Sequence, residues 1–223
     1  MSIFTYLQLI QTVNPSNRFV LSVTAQDAAA ASGPRCITTY RSSVGTTFEC
    51  KIWEAARATS AAPLIFKPIT IGPVGMAEEF IDGGLRANNP IEKVLEQAHQ
   101  LFHPSDQISC ILSIGTGKLK RANYKPGYIP SALIDTLVKA STGCEATHQK
   151  MEQFFGSSDI LYFRFNVEQG LQDVALDDWN RLGEVKTLTV NYLNEVGNKK
   201  KLEAIAEALY SRRGCVALSQ LSM

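Results

Sequence analysis

Hydrophobic and polar positions along this chain follow two periods, and the switches between them mark its elements. Residues 19–24 (FVLSVT) and 36–40 (CITTY) are short apolar runs rich in β-branched side chains, and read as strands. Thr46-Thr47-Phe48-Glu49 has the form of a capping box, in which a Thr hydroxyl and a Glu carboxylate satisfy free backbone N–H groups. The helix it opens runs through Ile52, Trp53, Ala56 and Ser60 and stops at Pro63, because proline disfavours helical geometry in the residue before it. Residues 64–66 and 69–71 read as core strand. Phe80-Ile81-Asp82 is a brief strand that breaks into Gly83-Gly84. Asn89 as N-cap and Pro90 at the first helical position start a helix with Ile91, Val94, Leu95, Ala98 and Leu101 on one face. Residues 107–114 read as a buried strand ending in Gly115-Thr116-Gly117, and residues 118–130 as a polar loop. A helix over 131–155, a strand over 160–165 and helices over 178–196 and 201–210 complete the pattern. Strands alternating with helices predict an α/β fold with a mostly parallel sheet.

Composition narrows the function classes. In 223 residues, 45% are hydrophobic and 19% charged, the balance of a chain with a real core rather than a disordered one. Lys+Arg 22 against Asp+Glu 21 leaves a formal charge of +1, so no global bias toward nucleic acid exists. The local runs Lys199-Lys200-Lys201 and Arg212-Arg213 read as a solvated helix face. Five widely spaced cysteines (Cys36, Cys50, Cys110, Cys144 and Cys215) without C-x-x-C fit a reducing, cytoplasmic compartment better than a disulfide framework or zinc site. No apolar run approaches a membrane span. Residues 1–10 are apolar but lack the basic region and cleavage site of a signal peptide. They read as the end of a core element or a truncation boundary.

Several short patterns invite chemistry. Asp82 stands at the carboxyl end of a strand, where open α/β sheets build their sites, and the two glycines after it permit a tight departure. A carboxylate there can accept a proton from a nucleophile. A turn-forming Asp-Gly fits the same spacing, which leaves both readings open. His99 and His103 share the i, i+4 spacing of two metal ligands, but no third ligand or H-E-x-x-H glutamate accompanies them, so they read as a helix-end surface pair. Gly115-Thr116-Gly117-Lys118 fails as a phosphate-binding loop, because Leu112 and Leu119 occupy positions that need Gly and Ser or Thr.

Four ordered segments taken together are more specific. Residues 53–63 (WEAARATSAAP) with Phe66, then Phe80-Ile81-Asp82-Gly83-Gly84, then Asn88-Asn89-Pro90, then Leu112-Ser113-Ile114-Gly115-Thr116-Gly117, closely resemble patatin-like phospholipases in order and spacing. The match covers about residues 17–120, with looser agreement over the helical part, about 131–223. It looks particularly like the fungal branch, where such domains often belong to longer multidomain proteins. The resemblance implies an α/β/α sandwich and lipid acyl hydrolysis by a serine–aspartate dyad. It assigns Asp82 of the Asp82-Gly83-Gly84 motif as the proton acceptor. It implies no metal or organic cofactor. A lipid ester is the expected substrate, met peripherally at a membrane surface, and no nucleic-acid partner is expected.

The sequence departs from that family in two respects. No serine lies in G-x-S-x-G, the strained turn that exposes the family's nucleophile, and no glycine-rich oxyanion loop precedes Gly33. The expectation is a partial domain over 1–223 that lacks the N-terminal strand and nucleophile elbow. Such a chain carries the aspartate half of a hydrolase; the alternative is a non-catalytic lipid-binding or protein-interaction remnant of that fold. Ser43, in Arg41-Ser42-Ser43-Val44-Gly45, lies between a strand and a helix but lacks the first glycine of an elbow, and Ser60 and Ser113 read as packing residues. Asp82 is expected to face an opening, with the helix from Pro90 directing its amino-terminal dipole there and favouring the ionised carboxylate.

Overall fold

Residues 107–114 form an eight-residue strand, most of whose side chains are buried, as the apolar run predicts, and one half of the molecule is built around it. The computed structural model describes residues 8–12, 22–27, 34–38, 40, 49–62, 65–117, 131–174, 178–211 and 216–221. In chain order the elements are β1 (Gln8–Thr12), β2 (Ser22–Asp27), β3 (Arg35–Thr38), α1 (Ile52–Thr59), β4 (Ile69–Ile71), β5 (Glu78–Asp82), α2 (Gly84–Ala87) and α3 (Ile91–Leu101). They continue as β6 (Gln107–Ile114), α4 (Ser131–Phe155), β7 (Leu161–Phe165), α5 (Leu182–Asn194), α6 (Val196–Ser211) and β8 (Val216–Ala217).

Two four-stranded sheets result. One has the order β1-β6-β7, with β8 also paired to β6; the other has the order β3-β2-β5-β4. The α/β character holds, but the mostly parallel sheet does not. Among the described residues only β6 and β7 run parallel; β1 and β8 pair antiparallel with β6, and every pair of the second sheet is antiparallel. For β2–β3 and β4–β5 the reason is connection length. Residues 28–34 join β2 to β3 and residues 72–77 join β4 to β5, too few for the crossover that a parallel pair needs. Residues 115–160, which contain α4, are long enough to return the chain to the same end of the sheet.

Each sheet has its own apolar cluster. Ile91 and Leu95 of α3, Ile108 and Ile111 of β6, and Met151 and Phe155 of α4 pack together beside the first sheet. Ile37, Ala55, Ala58, Ile71 and Phe80 do so beside the second, where the small side chains of α1 let the helix lie close to the strands. Of the two segments expected as core strand, residues 69–71 form β4 with Ile71 buried, whereas Phe66 is 41% exposed, with the Arg57 guanidinium over its ring.

Several helix boundaries are corrected. Helix α1 starts at Ile52, with the Glu54 carboxylate accepting the Lys51 N–H at 2.7 Å; the expected box over 46–49 lies mostly outside the described residues. Pro90, not Asn89, is the N-cap of α3, its carbonyl accepting the Val94 N–H at 2.9 Å. The helix expected over 178–196 begins as a 3-10 turn at Trp179–Arg181, continues as α5 and breaks at Glu195, whose extended backbone starts α6 five residues earlier than expected.

Candidate functional site

Asp82 is the last residue of β5, and its backbone N–H donates to the Ala61 carbonyl at 3.1 Å, which ties the strand end to the segment leaving α1. Its side chain folds back into a tight turn in which Oδ1 accepts the Gly84 N–H at 2.6 Å. The turn reading of Asp-Gly is therefore realised. The other carboxylate oxygen, Oδ2, is buried and has no hydrogen-bond partner among the described residues.

Two expectations about this residue are corrected. Asp82 does not face an opening: only 1% of it is exposed. Nor is its ionised form favoured. Removal from water pushes its pKa up to about 7, and the Gly84 N–H, the one group opposing that rise, is too weak to hold it near the ordinary value of 3.8. A short helix, α2, stands between Asp82 and Pro90, so the chain turns back directly after Gly83 instead of running on to the longer helix.

Asn88 and Asn89, expected to open a helix, turn inward. Both are buried, and the Asn89 carboxamide donates to the Cys144 carbonyl of α4 at 3.4 Å. The motif that follows Asp82 is thereby joined to the middle of α4. On the same turn of α4, Cys144 and Glu145 meet a buried arginine. Arg164 of β7 donates to the Cys144 sulfur at 2.9 Å and to Ser113 Oγ of β6 at 2.8 Å, and lies 4.0 Å from the Glu145 carboxylate. Glu145 also accepts from the Asn166 side-chain amide at 3.2 Å, and Asn166 Oδ1 in turn accepts the Gly117 N–H at 2.7 Å.

This network gives the Gly115-Thr116-Gly117 pattern a physical reason unconnected with phosphate. A Cβ at Gly115 would lie 2.4 Å from Asn166 Oδ1, so only glycine lets the turn wrap over that side chain. Gly117 takes a φ of +102°, a conformation that favours glycine. The turn sits at the carboxyl ends of the parallel pair β6–β7, and α4 bridges it to the Asn88-Asn89 segment.

The other candidates separate. Ser43 lies outside the described residues, as does the loop over 118–130. Ser113 is fully buried and holds Arg164; Ser60 donates to the Ala56 carbonyl of its own helix at 2.6 Å. His99 and His103 do not share a helix, because α3 ends at Leu101; His99 Nε2 lies 3.2 Å from the Leu221 carbonyl, while His103 Nδ1 lies 2.7 Å from Ser105 Oγ. Sequence reasoning missed Arg164, Glu145 and Asn166. An arginine inside the apolar strand run Leu161–Phe165 was the available signal, since a buried guanidinium requires partners.

The arrangement offers a buried carboxylate with one oxygen committed to the turn and one able to accept a proton from a hydroxyl brought against it. Among the described residues no hydroxyl occupies that position.

Comparison with known proteins agrees with the motif set. Residues 11–95 match the family model described as patatin-like phospholipase. A calcium-independent phospholipase A2-gamma from Mus musculus is 27% identical over 163 residues, 71% of this chain and 20% of that protein. Phospholipase A I from Arabidopsis thaliana is 29% identical over 132 residues, 58% of this chain and 10% of its own length. An intracellular phospholipase A2 from Caenorhabditis elegans is 32% identical over 92 residues, 41% of the chain and 8% of the relative. The chain spans a fifth or less of these relatives. Residues 11–95, with their Asp82-Gly83-Gly84 turn and the Asn88-Asn89 segment packed against α4, therefore carry a patatin-like phospholipase match, and the relatives that the chain resembles are phospholipases.

Proposed function

We propose that this chain supplies the aspartate half of a serine–aspartate lipid acyl hydrolase, as one partial domain over residues 1–223. The reading is carried by Asp82, a buried carboxylate at a strand's carboxyl end whose Oδ2 has no hydrogen-bond partner among the described residues. A nucleophilic serine, contributed by polypeptide outside this sequence, would present its hydroxyl to that oxygen. The proton passes from the serine to Asp82 Oδ2 as the serine oxygen attacks the ester carbonyl. Collapse of the tetrahedral intermediate returns that proton to the departing alcohol and leaves an acyl-enzyme. Water then repeats the cycle and releases the fatty acid. The base must be ionised at the outset. With its pKa raised to about 7 by burial, Asp82 is also a stronger proton acceptor than an exposed aspartate. The substrate is a lipid carboxylic ester, encountered peripherally at a membrane surface; no described helix is long and apolar enough to cross one.

The test joins the chain to an N-terminal segment bearing G-x-S-x-G and measures fatty-acid release from phospholipid vesicles. Asp82→Asn should lower turnover by about a hundredfold or more while the fold persists, because the proton acceptor is lost but the Oδ1 bond to Gly84 can remain. The 223-residue chain alone should not turn over short p-nitrophenyl esters. Turnover by the chain that Ser43→Ala abolishes would overturn this reading, as would a joined enzyme indifferent to Asp82→Asn. The absence of G-x-S-x-G from all 223 residues favours one competing reading, a non-catalytic lipid-binding or protein-interaction module. That reading prevails if the joined protein folds, binds lipid and releases no fatty acid.

A further inference from the structure

Cys144, midway along α4, is held from two sides. Its sulfur accepts an Nη2–H of Arg164 at 2.9 Å, and its main-chain carbonyl accepts the Asn89 side-chain amide at 3.4 Å. A carbonyl oxygen carries two lone pairs, so the second contact does not require the helix to give up its own bond. Arg164 belongs to β7 and also donates from Nη1 to Ser113 Oγ of β6 at 2.8 Å. Its planar fork therefore fixes one point of α4 against both strands of the parallel pair, which an ammonium on a flexible stem would not do. The Arg164 side chain is 1% exposed, and a charge buried that deeply costs free energy unless its partners are well placed. Apolar side chains could join α4 to these strands without that cost.

The other side of Cys144 leads to the candidate base. Asp82 and Asn89 flank α2, a single helical turn that packs against both α4 and β2. Asp82 closes β5 and pairs there with Ala25 of β2. One end of this short segment is thus set by the second sheet, and the other by the bond from Asn89 to α4.

We propose that Arg164 is a positioning residue for the proposed reaction, acting through Cys144 and Asn89 to hold α2 and the Asp82 carboxylate in place. The buried fork gives α4 a fixed register rather than added stability. Loosening α4 at Cys144 frees Asn89, lets α2 part from α4 and admits water to Asp82. This deepens the reading of Asp82 as the base and rests on it, since the placement of the carboxylate decides whether a serine hydroxyl meets Oδ2.

The experiment follows the Asp82 carboxyl carbon by NMR as pH is varied, in the 223-residue chain labelled at its aspartate carboxyls. Asp82→Asn identifies the signal. The wild-type midpoint is expected at about 7. Cys144→Ala removes the sulfur but leaves the carbonyl to which Asn89 donates. It should lower the midpoint by about 1 pH unit or more, as water reaches the carboxylate. Cys144→Ser keeps an acceptor for Arg164 and should restore most of that fall. Arg164→Lys should lower the midpoint in the wild-type background and add little in the Cys144→Ala background, because both break the same link. Asn89→Ala breaks the second link with the arginine and its partners intact, and carries the test if Arg164→Lys does not fold. A merely structural role would lower the melting temperature and leave the midpoint of the folded chain unmoved. The proposal is overturned by a midpoint unmoved or raised in a folded Cys144→Ala or Asn89→Ala chain, or by equal effects of alanine and serine in place of Cys144. A wild-type midpoint near 3.8 overturns it too, since no shielded carboxylate would then be held. Because no turnover is measured, the positioning and the lipid hydrolysis can fail independently.

Discussion

At the scale of the residue, Asp82 couples the proposed chemistry to stability. Its pKa is about 7 when folded and near 3.8 when exposed. Between those values the unfolded chain has lost a proton that the folded chain still holds, so stability falls as pH rises from about 4 to 7 and the penalty is complete above the folded value. Such a shift corresponds to a cost on the order of a few kcal/mol. Asp82→Asn removes the titration. The buried amide adds a fixed cost of roughly 1–3 kcal/mol if it finds no acceptor, but that cost does not vary with pH. The difference in unfolding free energy between the variant and the wild type should therefore move in favour of the variant between pH 5 and pH 8. Urea titrations at the two values check this, and a pH-independent difference would show that Asp82 is already ionised in the folded chain. The same shift predicts that the joined enzyme's kcat/KM rises through pH 7, as the base loses its proton.

At the scale of the element, the turn after β6 is fixed by one side chain rather than by its own sequence. Asn166 accepts the Gly117 N–H and fills the space where a side chain at Gly115 would sit. Gly115→Ala should cost roughly 1–3 kcal/mol through overpacking. In an Asn166→Ala background the same change should cost at least about 1 kcal/mol less, because its obstacle has gone. A double-mutant cycle by chemical denaturation measures that coupling, and strictly additive costs would refute the contact. The glycines were legible in the sequence, but their partner was not, since Asn166 lies 49 residues from Gly117. The helix boundaries show the same limit. Residues 131–155 followed their apolar period to the residue, whereas Asn89, a good N-cap by local preference, gave up that place to donate across to α4.

At the scale of the whole molecule, the two sheets with separate apolar clusters should not be equally stable. Strand β6 is paired on both edges and backed by α3 and α4, whereas the second sheet ends in the short strands β3 and β4. Amide exchange should therefore be slowest in β6 and β7 and faster in β4 and β5, read residue by residue under native conditions. Equal protection of the two sheets would mean that they unfold as one cooperative unit.

The sequence alone determined the α/β class, most strand positions, the patatin-like resemblance and the Asp82-Gly83-Gly84 motif on which the proposed chemistry rests. These depend on local period, on turn residues and on motifs with fixed spacing, all of which a linear reading preserves. Tertiary structure decided the rest. The direction of the β2–β3 and β4–β5 pairs followed from connections too short to cross over, and that of β6–β7 from one long enough. Burial left Asp82 with a raised pKa, and its environment comes from segments that the chain order does not place beside it. The same is true of Arg164, whose partners Ser113, Cys144 and Glu145 lie on two other elements. A buried charge is recognised by what surrounds it, and only the folded chain brings those groups together.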